Sequence, residues 1–232
     1  MGIKLRFGWL AAALLGSMVA AGAGQAPAPG LSDMTGVWSR ERLRDRPDHF
    51  DPNVYNSEDQ KPPLRESYAK LWKENREKGY KGDLSYDTSL NCLPKGFPRV
   101  MMAPLGMEIM ATPAQVNFTN EASGDVVRAF LDDRKEIEGS DPTYMGFTTG
   151  RWENGVLTLH TGNLRADTLF DGTGIPHSDS LTVTQKMRFL DRNTLENIVT
   201  MSDPKAFTED WVVRMVYHRE PPSRYVAEVT CK

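Results

Sequence analysis

The chain has 232 residues, with 28 Lys and Arg against 31 Asp and Glu, a formal net charge of −3, and 39% hydrophobic residues. A mildly acidic balance with no basic block disfavours a nucleic-acid partner, because phosphate binding needs clustered cations. The length suits one domain with a substantial core, and four His without paired spacing argue against a zinc or haem motif.

Taken from its start, the chain opens with Lys4 and Arg6, then an uncharged run from Phe7 to Ala21 that is short for a membrane-spanning helix. The run ends at Ala21-Gly22-Ala23, small residues of the kind signal peptidase reads. These features predict a secretory signal peptide over 1–23 and a disordered mature start over 24–34, the latter holding Gln25-Ala-Pro-Ala-Pro-Gly30. The competing reading is an uncleaved membrane anchor. On the signal reading the mature protein is periplasmic or secreted, with no stable membrane insertion after cleavage and no Cys in position for a lipid anchor.

The sequence contains two cysteines, Cys92 and Cys231. In an exported chain an even count favours a bridge. Such a bridge closes a loop of about 140 residues, with a chain-entropy gain of order 5 kcal/mol before strain. Two buried free thiols are the alternative; a catalytic thiol has no His nearby in sequence.

Gly36-Val-Trp38 reads as a first strand entered through a turn. The polar stretch that follows contains one amphipathic helix near 63–79, started by Pro62-Pro63, with Leu64, Tyr68, Leu71 and Trp72 at helical spacing and Gly79 as its stop. That helix is expected to pack across a barrel or over its mouth. After Cys92, short strands are expected near 99–103, 107–111, 115–119, 126–132, 147–153, 156–162, 180–190, 194–201, 211–218 and 224–230. Asn154-Gly155 predicts a type I′ hairpin turn, and Asp191-Arg-Asn193-Thr a second hairpin. Successive hairpins without intervening helices predict an antiparallel meander, closed to remove its edges. The expected fold is thus mainly β, an antiparallel barrel with one helix before the main strands, in a single domain over 35–232. Gly36-x-Trp38 is similar to the first-strand signature of lipocalins, although a Trp closes one end of many barrel cores.

Further motifs carry a wider resemblance. Asn91-Cys92-Leu-Pro94-Lys-Gly96-Phe-Pro98-Arg99, Glu108-Ile-Met-Ala-Thr-Pro113, Asp132-Asp-Arg134, Asp141-Pro-Thr-Tyr144-Met-Gly146, Gly150-Arg-Trp-Glu153, Pro176-His177-Ser178-Asp179, Asp203-Pro204 and Cys231 lie along most of the mature chain. In this pattern the chain resembles a large group of exported bacterial proteins that share Cys-x-Pro-x-Gly-x-Pro-Arg, Asp-Gly-Arg, Gly-x-Trp-Glu-Gly and Pro-His-Ser-Asp segments. The resemblance implies a lipocalin-like or related barrel and says little about activity. The chain departs from the pattern at Asp133 (Gly expected), Phe147 (His), His160 (Asp) and Gln185 (Glu), so a polar site common to the group would be partly rebuilt here.

Strand parity sorts the candidate site residues by face. His177, Asp179, Leu181, Val183, Gln185, Met187 and Phe189 share the inward face of one strand, with His177 and Asp179 at the mouth and Gln185 deeper. Trp152, Leu157 and Leu159 share the apolar face of the Asn-Gly hairpin, and His160 points outward. Arg128, Phe130, Asp132 and Arg134 share another face; Asp132 with Arg134 reads either as an ion pair closing a strand end or as an anion-binding group beside His177. An imidazole beside a carboxylate suits general acid-base work and is equally an ordinary structural hydrogen bond. The candidate catalytic set is therefore His177, Asp179, Asp132 and Arg134. The candidate ligand-contacting set is Glu108, Arg128, Tyr144, Trp152, Gln185 and Trp211.

No metal or cofactor is implied. Gly172-Thr-Gly174 is a turn without a dinucleotide-loop context, no Gly-x-Ser-x-Gly elbow is present, and Met101, Met102, Met107 and Met110 read as core filler that would also suit an apolar ligand. Two functions remain in view. One is carriage of a small hydrophobic or aromatic molecule in the barrel interior; the other is a cofactor-independent lyase, isomerase, cyclase or hydrolase in the same cavity.

Overall fold

The computed structural model describes residue 2 and residues 28–40, 61–102, 105–121 and 123–227. The signal peptide expected over 1–23 and Cys231 lie outside the described residues. None of the described helices is long and apolar enough to cross a membrane.

Nine strands close into one barrel in chain order: β1 (Gly36–Arg40), β2 (Met107–Ala111), β3 (Gln115–Asn120), β4 (Val126–Phe130), β5 (Phe147–Glu153), β6 (Val156–Gly162), β7 (Thr182–Asp191), β8 (Thr194–Ser202) and β9 (Trp211–Arg219). The architecture is the mainly β, lipocalin-like barrel with one principal helix that the sequence predicts. Every neighbouring pair is antiparallel except β4 with β5, which run parallel at Ala129 and Thr148. The exception is arithmetic. An odd number of strands cannot alternate up and down around a closed ring, so one seam must be parallel. Residues 131–146 join the two parallel strands.

Turn chemistry and side-chain alternation build the strands where the sequence places them. Asn154 and Gly155 both take positive φ, 50° and 78°, as a type I′ turn requires. Leu157 and Leu159 alternate inward on β6 and are fully buried, while His160 points out and meets the Thr184 hydroxyl at 3.1 Å. Leu195, Val199 and Met201 on β8, and Val213, Met215 and Tyr217 on β9, complete that wall. Removing such an apolar side chain leaves a cavity as well as losing burial; truncation of Trp38, wholly buried with its Nε1 donating to the Met34 carbonyl, would cost roughly 3–5 kcal/mol. Met34 belongs to a 3-10 turn over Leu31–Met34, so ordered structure begins before residue 35.

One end of the barrel carries the short β2–β3, β5–β6 and β7–β8 turns and the Leu31–Met34 3-10 turn that leads into β1. The other end is covered. There α1 (Glu66–Tyr80) docks, held by a Leu64–Phe207 bridge, by Trp72 Nε1 donating to the Thr173 hydroxyl at 3.1 Å and by Asn75 Nδ2 donating to the Gly174 carbonyl at 2.8 Å. The helix faces the barrel with Tyr68, Trp72 and Asn75, and Leu71, expected on the buried stripe, is 42% exposed.

Two expected strands are not strands. In place of the strand expected over 99–103, the described residues form a helical turn, α2 (Arg99–Met102), because Gly96 and Pro98 offer carbonyls to the amides of Val100, Met101 and Met102. Val100, Met101 and Met102 are all buried, and a short, wholly apolar run has no periodicity by which to tell a buried strand from a buried helix. The described part of 224–230 is also not a strand. Pairing of β9 with β1 has already closed the barrel, leaving no edge for another strand.

Candidate functional site

His177 lies on the β6–β7 connection at the covered end and is buried. Its Nδ1 is 2.9 Å from the Ser178 carbonyl, which can only accept, so Nδ1 carries the proton. Nε2 then accepts from the Thr168 hydroxyl at 2.8 Å. Burial pushes the imidazole below its ordinary value of 6.5, against the pull of the Ser178 carbonyl and of Asp203. The neighbouring Ser178 gives both its amide and its hydroxyl to Asp203 at 2.7 Å. Gly96 packs directly against Thr168, with no room for a Cβ at that point. Several residues of the motifs thus interlock here, through hydrogen bonds that hold the end of the barrel together.

Between this knot and α1 lies an open groove of about 710 Å³, lined among others by Tyr68, Leu71, Tyr86, Thr168, His177 and Lys205. Asp179 reaches the same groove but turns to Lys205, whose Nζ stands 2.5 Å from Oδ1, and that bond holds the carboxyl below its usual range. Asp132 and Arg134 pair with each other at 2.9 Å on the connection leaving β4. Arg134 also lies 4.4 Å over the Phe130 ring, which packs on Phe147 across the parallel seam. His177 and Asp179 thus border one groove without a mutual bond, and neither Asp132 nor Arg134 lines it.

The candidate ligand-contacting residues scatter as well. Arg128 is exposed on the outer face of β4, and Glu108 is half-buried on the outer face of β2, between the inward Met107 and Ile109. Tyr144 lies under the Arg165 guanidinium at 4.7 Å, and Trp211 packs edge-on against Phe170 and Phe207 at the covered end. Trp152 is half-buried against the core. Gln185 alone points deep into the lumen, 1% exposed, as strand parity predicts.

Gln185 has company that sequence reading missed. Asn197, on the inner face of β8, is wholly buried, and neither it nor Gln185 has a hydrogen-bond partner for its side-chain oxygen or nitrogen. Tyr217 and Arg40 also lie on inner-face positions, 1% and 7% exposed. The parity rule that placed Gln185 would have found all three, since Asn197 alternates with Leu195 and Val199, Tyr217 with Met215, and Arg40 with Trp38. Thr148 and Thr161, also inward, bond each other at 2.8 Å, and Asn120 shares the inner face of β3 with Val116 and Phe118. Among the described residues no group of three or more His, Cys, Asp or Glu is placed to hold a metal.

No protein-family model matches the chain, and no curated protein matches it in sequence. What the fold and these two regions define is a closed nine-stranded barrel, helix-covered at one end, with an apolar lumen holding two unsatisfied amides.

Proposed function

We propose that this is an exported barrel protein that binds a small, largely apolar molecule in its lumen. The observation that carries the reading is the pair Gln185 and Asn197. A buried amide left without partners costs about 1–3 kcal/mol, and buried polar groups are otherwise paired. Both stand in a wall of Met107, Leu159, Met187, Val199 and Met215, where nothing else about the fold requires them. Ligand sites have this composition: apolar walls with a few placed polar groups. A barrel of this size stands at the limit where side chains either fill the interior or leave room for one small ligand. Methionine thioethers repack readily around a guest.

Export belongs to the same proposal and rests on the residues of the leader and on the motif resemblance. It accords with a Cys92–Cys231 bridge, and Cys92 carries no free thiol. An extracytoplasmic address also favours binding or cofactor-free chemistry, because nucleotide cofactors are not maintained there.

The test is to purify the protein from its native compartment, extract it with organic solvent and identify bound compounds by mass spectrometry. The Gln185→Met, Asn197→Leu double variant is expected to lose the compound while the emptied protein unfolds at an unchanged or higher temperature. Retention of the compound by a destabilised double variant would overturn the reading.

Acid-base catalysis keeps one observation in its favour: a neutral imidazole, Thr168-bonded, on the wall of a sizeable groove. It is the second reading because Asp179 is engaged by Lys205, and Asp132 and Arg134 are engaged with each other and do not line the groove. If the extracted compound is turned over by the wild type and not by His177→Ala, catalysis takes first place.

A further inference from the structure

Four of the lumen's polar side chains form a row. Arg40 pairs in register with Tyr217 across β1 and β9, Tyr217 with Leu195, and Met215 with Asn197, so Tyr217 and Asn197 are diagonal neighbours on one inner face. Gln185 pairs with Val199 and Met187 with Asn197, which makes Gln185 the next diagonal neighbour. Four consecutive strands, β1, β9, β8 and β7, thus each contribute one polar group to a continuous track. Burial raises the Tyr217 phenol, while the Arg40 charge and the Asn197 side chain act to lower it, so the three are electrostatic neighbours. The Asn197 amide nevertheless falls short of hydrogen-bonding geometry with that phenol.

Arg40 sets the sign of the track. Its guanidinium is permanently charged and has five donors. Its described hydrogen bond, from Nη1, goes to the Met102 carbonyl, a neutral acceptor beside the Met101 carbonyl that takes the Tyr217 hydroxyl at 3.1 Å. Among the described residues no carboxylate pairs with it. A cation carried into an apolar interior is costly unless an opposite charge and further acceptors meet it. No described Asp or Glu on the strands faces inward to do so: Glu108 is on the outer face of β2, and Glu196 is tied to Arg188 and Arg214 at 2.7 Å. Among the described residues a cationic head group would find no counter-charge on the strands, whereas a carboxylate would find a guanidinium fork and two amide donors.

We propose that the lumen ligand is an acidic amphiphile, its carboxylate received by Arg40 with the Asn197 and Gln185 amides, and its apolar body lying among the lumen methionines. The proposal rests on the lumen-binding reading above and adds the chemistry of the head group.

Three ten-carbon probes with one tail and different heads, decanoate, decanol and decylamine, separate the two claims by titration calorimetry on the delipidated full-length mature protein. Decanoate is expected to bind at least about tenfold more tightly than decanol, the scale of a charge-assisted hydrogen bond, and decylamine not at all. Arg40→Gln is expected to erase the preference for decanoate and leave decanol affinity unchanged, and Arg40→Lys to retain part of it. Decanol binding as well as decanoate, or a preference that survives Arg40→Gln, overturns the acidic head group and leaves lumen binding standing. Equal weakening of both probes by Arg40→Gln assigns Arg40 to holding α2 and likewise overturns it. Binding of none of the three removes the lumen reading and this proposal together. Should Arg40→Gln not fold, the wild-type head-group order and the Arg40→Lys variant decide.

Discussion

At Asp133 the backbone is left-handed, with φ of 57°. An L residue in that region carries strain of roughly 1–2 kcal/mol, less for Asp than for most, and glycine carries none. Asp133→Gly is therefore expected to be neutral or to raise stability by up to about 1 kcal/mol, read from urea unfolding, and Asp133→Val to lower it. His177 sets a pH dependence. In the unfolded chain its imidazole binds a proton near 6.5, but burial withholds that proton in the fold until a lower pH. Protonation thus favours unfolding, and stability should fall as pH drops below about 6.5, by at most about 1.4 kcal/mol per pH unit for one group. Unfolding midpoints measured between pH 7 and 5 should decline in the wild type and stay flatter in His177→Gln. Asp87, raised by burial but brought lower by Arg99 and Ser89, acts in a separate window, its contribution being lost only as pH falls below about 3.8.

Elements follow their local signals where alternation is strict and escape them where it is not. The ranges expected for β2, β5 and β6 coincide with those observed, because apolar-in and polar-out residues alternate and turns bound them. The run at 100–102 is apolar throughout, and only the Gly96 and Pro98 carbonyls decide for a helix. For α1 the docking bonds matter more than the stripe, since its single buried residue is polar. Asn75→Ala leaves the Gly174 carbonyl without its donor and should cost about 1–3 kcal/mol, seen as faster proteolysis around α1 before any change in the barrel. Gly146, just before β5, has φ of 66° and packs so near the Gly162 carbonyl that a Cβ has no space. Gly146→Ala should destabilise by about 2 kcal/mol or more through strain and overpacking, measurable by thermal unfolding.

For the whole molecule, the composition, the strand rhythm and the turn residues together determined a mainly β barrel with one helix, because each of those signals is local and the barrel joins neighbours in order. Local sequence likewise determined that Gln185 faces inward, His160 outward, and that His177 sits at a barrel end. Tertiary structure alone decided the rest. The parallel β4–β5 seam follows from closing an odd ring, a condition no single segment carries. Asp132 and Arg134, on the connection over 131–146, pair with each other and do not line the His177 groove, although all four look alike as polar residues at strand ends. The alignment of Arg40, Tyr217, Asn197 and Gln185 depends on register between strands far apart in sequence, set by closure of β9 onto β1. Side-chain period fixes which face a residue occupies; only the pairing of strands fixes which residues share a level, and a binding site needs both.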